Sequence, residues 1–253
     1  MSTSTRVLQR FVMPADGDAD ILQLYAEGEI ISVSSAPVNA RDDVPETGIA
    51  ETARQSGGQI VSRYSYRIPA QSRSSFGTYF NAYWRRWTIV EEVTLRVTVS
   101  GSGSVIVYKS NARGASHRVD SARIAPQAAE MVFKLPLNTF GDGGWYWFDI
   151  AADSQDATVE AARWEAEVPA ETREGRVTIG VTTFNRPTDC ATMLGQLGAS
   201  DTLPGVLNEV VVADQGDKKV VDDDRFPAAR ESLGERLRVI DQPNLGGSGG
   251  FSR

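Results

Sequence analysis

Polar residues stand directly after three short apolar runs in the last third of the sequence. These candidate ligand-binding residues are Thr182–Arg186, Asp214–Gly216 and Asn244. Ligands of open α/β sheets bind outside the carboxyl ends of the strands, and the guanidinium of Arg186 suits a phosphate or a base carbonyl. The pattern predicts one polar site at a sheet edge. Ordinary polar turns are the alternative.

A glycine-rich segment, Gly246–Gly250, follows the third apolar run. It is not a P-loop because no Gly-Lys-Ser/Thr follows it. It also fails as a dinucleotide fingerprint, since Ser252 stands where glycine or alanine is needed. We expect this backbone to approach a ligand closely at a helix N-terminus. A flexible tail is the alternative.

Metal and nucleophile chemistry find little support. The chain has one cysteine, Cys190, and one histidine, His117, which excludes a Cys/His zinc site and an internal disulfide. Cys190 is expected to pack inside a helix, and His117 to lie on the surface. The acidic run Asp222–Asp224 resembles a metal motif, but no strand leads into it. We predict a solvated charge run there.

Aromatic and basic residues cluster in two places. The run Tyr79–Trp87 combines two arginines with aromatic residues that include Tyr83, Trp84 and Trp87, and Trp145 and Trp147 follow later in the chain. Such rings stack on sugars or bases, and arginine adds a cation–π contact. The alternative is an aromatic core with an inter-domain contact, because most aromatic residues serve packing.

Composition limits the function classes. The 253 residues carry a net charge of −7, which disfavours a nucleic-acid binder that relies on positive charge. The lone cysteine favours a reducing, intracellular setting. Met1–Arg6 is not followed by an apolar run, so no secretory signal peptide is predicted. No stretch approaches the ~20 apolar residues of a transmembrane helix.

The first part of the chain, residues 1–172, has period-two apolar patterning. Val93–Val99 alternates, Gly101–Gly103 predicts a turn, and Val105–Tyr108 predicts the next strand. Together with the aromatic run Trp145–Ile150, this pattern predicts an antiparallel, jelly-roll-like β-sandwich. The Ser-, Pro- and Asp-rich segment 34–58 predicts a long loop.

From residue 173 onward, strand and helix patterns alternate. Short unalternated apolar runs predict a parallel sheet with covered faces. Between two of them, Pro187 predicts a helix start. An apolar stripe follows at Cys190, Met193, Leu194 and Leu197, with an acidic residue, Asp189, in the first turn. A three-stranded sheet with no helix after its last strand would be unfinished, so we expect a fragment of a longer protein.

Several longer motifs resemble the family-2 glycosyltransferases. They are Val181–Pro187, Asp214–Gly216, Asp241–Arg253, Thr78–Trp87 and Gly141–Asp149. The resemblance covers most of the chain. It is strongest to the polymerising galactofuranosyltransferases of mycobacterial and corynebacterial cell walls.

The resemblance implies an inverting GT-A enzyme, truncated here at residues 173–253 behind an N-terminal β-sandwich. It implies transfer of galactofuranose from UDP-galactofuranose to a lipid-linked galactan, with alternating β-(1→5) and β-(1→6) links. Arg186, Gln215 and Asn244 match positions that contact the UDP part of the donor. A divalent metal, Mn or Mg, and the catalytic base would be held outside this chain, which would then be inactive alone.

The family works as a homo-oligomer, peripherally, at the cytoplasmic face of the membrane. Two alternatives stay open beside this hypothesis. The β-sandwich could be a carbohydrate-binding or assembly module, or the enzyme could use another UDP-sugar.

Overall fold

A computed structural model describes residues 2–14, 19–30 and 58–252. The chain divides into two compact units, Met1–Glu171 and Thr172–Arg253, called unit 1 and unit 2 below. The predicted loop 34–58 lies, except for Gly58, outside the described residues. None of the helices in the described ranges is long and apolar enough to cross a membrane.

Unit 1 is an antiparallel β structure with two one-turn helices. Its strands are β1 (Thr3–Arg10), β2 (Ala26–Ile30), β3 (Gln59–Ser62), β4 (Ser65–Ile68), β5 (Ser72–Phe76), β6 (Phe80–Asn81), β7 (Glu92–Ser110), β8 (Ser116–Arg123), β9 (Ala129–Pro136) and β10 (Trp145–Pro169). The helices are α1 (Ala19–Leu22) and α2 (Trp84–Trp87), and a 3₁₀ turn spans Leu137–Thr139. The predicted antiparallel β module is therefore confirmed.

The two longest strands organise unit 1. β7 pairs antiparallel with β10 from Lys109–Tyr146 to Thr94–Glu165. β8 and β9 extend the sheet from β7, while β1, β4, β5 and β6 pair with β10. The strand pattern is set by alternation, since Val93, Leu95 and Val97 are fully buried and the residues between them are not.

The core of unit 1 is rich in aromatic rings. Trp164 is fully buried, and its indole N–H donates to the carbonyl of Thr78 at 3.0 Å. Phe76 packs between Phe11 and Tyr66 in edge-to-face contacts at 5.2 and 5.6 Å between ring centroids. Burial of each such ring removes a large apolar area from water, which stabilises the folded state by roughly 25 cal/mol per Å² of buried area.

The turn predicted at Gly101–Gly103 is wrong, because β7 continues through both glycines. Both have positive φ, 112° and 143°. A Cβ at Gly103 would lie 2.0 Å from the carbonyl oxygen of Ala151. The register of β10 shifts at the same level, between Ala152 and Ala157. The glycines thus bend one strand, which pairs with β9 before the bend and with β8 after it.

Unit 2 alternates strands and helices. Its strands are β11 (Val177–Thr183), β12 (Leu207–Asp214) and β13 (Leu237–Asp241), and its helices are α3 (Pro187–Gly198), α4 (Phe226–Leu233) and α5 (Gly246–Phe251). Three 3₁₀ turns cover Leu203–Gly205, Val220–Asp222 and Gly234–Arg236. The strands pair in parallel in the order β11–β12–β13, so the predicted parallel sheet is confirmed.

Helix α3 begins as predicted. Pro187 stands in its first turn, where a missing N–H costs nothing, and Asp189 is acidic there. Cys190 and Leu194 are buried against β12, and Met193 and Leu197 pack partly buried beside them. The expectation that no helix follows the last strand is wrong, since the glycine-rich segment itself forms α5.

The bend in β7 gives a stability prediction. Gly103→Ala should destabilise the chain by about 1–3 kcal/mol, because its Cβ meets backbone on β10 and its φ is positive. The Tm should fall by about 2–10 °C in a thermal melt. Gly141→Ala is the matched control, since nothing lies within 4 Å of its Cβ position. Equal melting of both variants would contradict this account of the bend.

Candidate functional site

The loops after the three parallel strands meet at an open cleft. Its volume is about 700 Å³. Its lining residues are Phe184, Gln215, Gly216, Asp217, Lys219, Asp241, Gln242, Pro243 and Asn244. The structure thus brings Gln215 and Asn244 to one cleft, while Arg186 lies outside the set of lining residues. The carboxyl ends of parallel strands meet at one edge, which explains this arrangement.

Asn185 joins the loop after β11 to the loop after β12. Its backbone is left-handed, with φ 54°. Its side-chain oxygen accepts hydrogen bonds from the N–H groups of Asp217 and Lys218, at 2.8 and 3.0 Å. The sequence showed Asn185 only as part of a polar loop. Asparagine tolerates the left-handed region better than most residues, and that was the available signal for its structural role.

Gln215 joins the same loop to the loop after β13. It is 5% exposed. Its side-chain carbonyl accepts from the N–H of Leu245 at 2.6 Å, and its amide N–H donates to the carbonyl of Gly246 at 3.1 Å. Both ends of the amide are therefore hydrogen-bonded to the backbone. In this structure Gln215 positions the glycine-rich helix α5.

Asp214 holds its own loop. One carboxylate oxygen accepts from the N–H of Gly216 at 3.1 Å and the other from the N–H of Val220 at 2.7 Å. The residue is 1% exposed, so the carboxylate is turned inward. Its charge also acts on Cys190: burial, followed by the charge of Asp214, raises the pKa of that thiol to about 11.

The outward-facing polar residues carry few contacts. The Arg186 side chain is 78% exposed and lies 3.6 Å from the carboxylate of Asp189. The Asn244 side-chain oxygen accepts from the N–H of Gly246 at 3.0 Å, whereas its amide N–H₂ makes no hydrogen bond within the described residues. Lys219 donates to Asp241 at 2.7 Å, and this hydrogen bond raises the pKa of Lys219.

The described residues do not form a metal centre. No group of three or more His, Cys, Asp or Glu side chains in the described ranges could hold an ion. In the acidic run, Asp222 and Asp224 are exposed, as predicted for a solvated charge run. Asp223 accepts from Thr188 at 2.7 Å and from the N–H of Arg225 at 3.0 Å. The Arg225 N–H and then Thr188 lower the pKa of Asp223.

The candidate aromatic residues separate into two groups. Trp84 stacks on the core residue Phe80 at 5.9 Å, and the Tyr83 ring covers Gly143. Trp87 is 76% exposed. Packing therefore accounts for Trp84, as the alternative interpretation expected.

Trp145 and Trp147 form the second group, on β10. Both contact Tyr79, at 6.4 and 5.8 Å between ring centroids. Tyr79 belongs to the aromatic and basic run that the sequence singled out, whereas Tyr108, which stacks on Trp147, was not among the candidates.

The fold and cleft define a two-unit protein with an antiparallel β module and a parallel α/β unit suited to a polar ligand. The galactofuranosyltransferase 2 N-terminal family model matches residues 38–167. The chain belongs to this family. Galactofuranosyltransferase GlfT2 of Mycobacterium tuberculosis is 40% identical over 98% of the chain, and that of Mycolicibacterium smegmatis is 38% identical over 100%. The chain spans 36% of the length of each relative.

Solved structures give weaker likenesses. A family 29 carbohydrate-binding module is 10% identical, with 66% of this chain and 90% of that chain covered and a TM-score of 0.33. The CBM22-1–GH10 modules of Clostridium thermocellum xylanase 10B, complexed with xylohexaose, are 10% identical over 62% of this chain and 32% of that chain, with a TM-score of 0.31. At these scores the likenesses support no functional inference.

The double hydrogen bond of Gln215 gives a local prediction. Gln215→Leu keeps most of the side-chain volume and removes both bonds to the loop after β13. The N–H of Leu245 should exchange with solvent about fivefold to tenfold faster, as expected for a lost bond of about 1 kcal/mol. Gln196→Leu, at an exposed position on α3, is the control and should leave this rate unchanged. An unchanged rate in Gln215→Leu would show that the side chain does not hold this loop.

The buried thiol gives a second prediction. With a pKa near 11, Cys190 should remain a thiol at pH 8 and react slowly with iodoacetamide in the folded protein. In denaturant, where the pKa returns to its ordinary range, the same single cysteine should alkylate rapidly. Mass spectrometry of the labelled chain measures both rates. Fast labelling of the folded protein would contradict the buried position.

Proposed function

We propose that this chain is the N-terminal part of a galactofuranosyltransferase that extends galactan with galactofuranose from UDP-galactofuranose. The family membership and the names of the two relatives support the transferred sugar. The observation that carries the site is the cleft at the carboxyl ends of β11, β12 and β13. In this proposal unit 2 is the beginning of a GT-A domain, and the cleft receives the UDP part of the donor.

The roles of the cleft residues follow from their contacts. Arg186 is exposed and weakly paired, so its guanidinium is available to the diphosphate or the uracil carbonyls. Asn244 offers its amide N–H₂ from the rim, since its oxygen is engaged by Gly246. Gln215 already uses one amide N–H and its carbonyl oxygen to fix the loop after β13. In this proposal it contacts the UDP-sugar only with its second N–H and the second lone pair of its oxygen.

Chemistry at the sugar requires groups beyond those described here. A divalent cation, Mn or Mg, supplies charge stabilisation of the leaving diphosphate when bound. Its ligands would lie outside the described residues, whose carboxylates form no three-group cluster. The base that removes the proton of the acceptor hydroxyl would be a carboxylate in the same outside region. The same proposal includes inversion at the anomeric carbon of the sugar and the formation of β-(1→5) and β-(1→6) links. It also includes inactivity of this chain alone.

The setting of the enzyme is also part of the proposal. The acceptor would be lipid-linked galactan at the cytoplasmic face of the membrane, with the enzyme bound peripherally as a homo-oligomer. The net charge of −7 disfavours nucleic acid as the partner.

Arg186 gives the decisive variant. In the full-length enzyme, Arg186→Ala should raise the KM for UDP-galactofuranose, and the Kd for UDP, by about tenfold or more. Loss of a charge-assisted hydrogen bond costs about 1.5–3 kcal/mol. Steady-state transfer kinetics and isothermal titration measure the two constants.

Arg238→Ala is the matched control for this variant. Arg238 is also exposed, but it lies at the amino end of β13, away from the cleft. It should leave both constants unchanged. Equal constants for Arg186→Ala and the wild type would remove Arg186 from the donor site.

A further inference from the structure

Four aromatic side chains form a continuous row on the sheet of unit 1. Tyr108 stacks on Trp147 at 5.5 Å between centroids, with 16° between their planes. Tyr79 contacts Trp147 at 5.8 Å and Trp145 at 6.4 Å. Tyr79 and Trp145 are 43% and 44% exposed. We call these four residues the aromatic platform.

Strand geometry places the platform away from the core. Tyr146, Phe148 and Ile150 are buried, so the alternate residues Trp145 and Trp147 project from the opposite face. Trp147 is directly opposite Tyr108 in the β7–β10 register, which brings the two rings together on that face. Packing of the core therefore does not require these rings, since the core residues lie on the other face.

An arginine–aspartate pair flanks the platform. Arg73 donates through Nε to Asp149 at 2.8 Å, and its guanidinium lies 5.2 Å above the Tyr108 ring. Asp149 is 1% exposed, whereas the Arg73 side chain is 30% exposed. The carboxylate thus holds the guanidinium in place beside the rings and leaves part of it open to solvent.

The charges of this surface select an uncharged ligand. The positive charge of Arg73 is matched by Asp149, and a second carboxylate, Glu29, lies 3.8 Å from its other nitrogen. A polyanion would therefore meet no net positive charge at this pair. A polyol suits it, because sugar hydroxyl oxygens accept hydrogen bonds from the guanidinium while the C–H faces of the sugar pack on rings.

We infer that the aromatic platform binds a linear, uncharged glycan chain. The choice of galactan as that glycan rests on the proposed function, whereas the platform itself does not. The platform belongs to unit 1 and the proposed donor cleft to unit 2.

The test measures binding of soluble galactan oligosaccharide to the full-length protein by isothermal titration. Tyr79→Ala and Trp145→Ala should each weaken binding about tenfold, as expected for one lost ring contact. Tyr64→Ala is the matched control, because it removes an exposed aromatic ring outside the platform. Tyr79→Phe keeps the ring and should bind like the wild type. Thermal melts verify that each variant is folded.

Two readouts separate this inference from the proposed function. UDP affinity should be unchanged in the platform variants, and galactan binding should be unchanged in Arg186→Ala. Wild-type galactan affinity in both platform alanine variants would overturn the inference, even if Arg186→Ala loses UDP. Unchanged galactan affinity with a smaller native mass by light scattering would also overturn it and assign the platform to subunit contact.

Discussion

The antiparallel pairing of Glu92–Ser110 with Trp145–Pro169 is the interaction on which unit 1 depends. Every other strand of its sheet pairs with one of these two, or with a strand that does. This pairing joins residues that are far apart in sequence, so its formation costs loop-closure entropy. The buried alternate side chains of both strands supply the compensating apolar burial, and they also fix the register.

Unit 2 depends on a different kind of interaction, hydrogen bonds from side chains to loop backbone. Asn185, Asp214 and Gln215 all stand in polar loops where a ligand site was expected, and each satisfies backbone N–H groups instead. Buried or half-buried loop amides need such partners because no ladder satisfies them. The floor of the cleft is therefore hydrogen-bonded to loop backbone, while Asn244 lines the cleft and Arg186 lies outside its set of lining residues.

Sequence patterns predicted the elements better than their connections. Alternation in residues 93–99 and the apolar stripe of Pro187–Gly198 indicated the right element types, because period follows directly from burial on one face. Gly101 and Gly103 indicated a turn, but glycines with positive φ occur both in turns and in β-bulges. Pairing with the neighbouring strand determines which of the two forms, and the sequence does not show that pairing. The sequence likewise could not tell a polar residue that holds a loop from one that faces a ligand, as Gln215 shows.

The outer face of Trp145–Pro169 shows why the sequence alone did not bring the platform residues together on one surface. Core positions are even-numbered from Tyr146 to Ala152, odd at Ala157 and Val159, and even again from Ala162. Each change coincides with a register shift, since an odd number of extra residues moves all later side chains to the other face. Two buried carboxylates, Asp149 and Glu165, stand at positions that face away from the core, and an arginine from a neighbouring strand covers each of them.

A buried carboxylate is costly unless it is paired, and such a pair fixes the arginine rather than adding much stability. At Glu165 the pairing arginines, Arg96 and Arg163, also meet Glu130, so the network closes on itself. At Asp149 the arginine leans on the Tyr108 ring at the flank of the four aromatic side chains. The two levels of the strand therefore differ in what lies beside the arginine, which is further charged side chains at Glu165 and aromatic rings at Asp149. The aromatic neighbours are what distinguish the second level as the surface where we infer that a glycan binds.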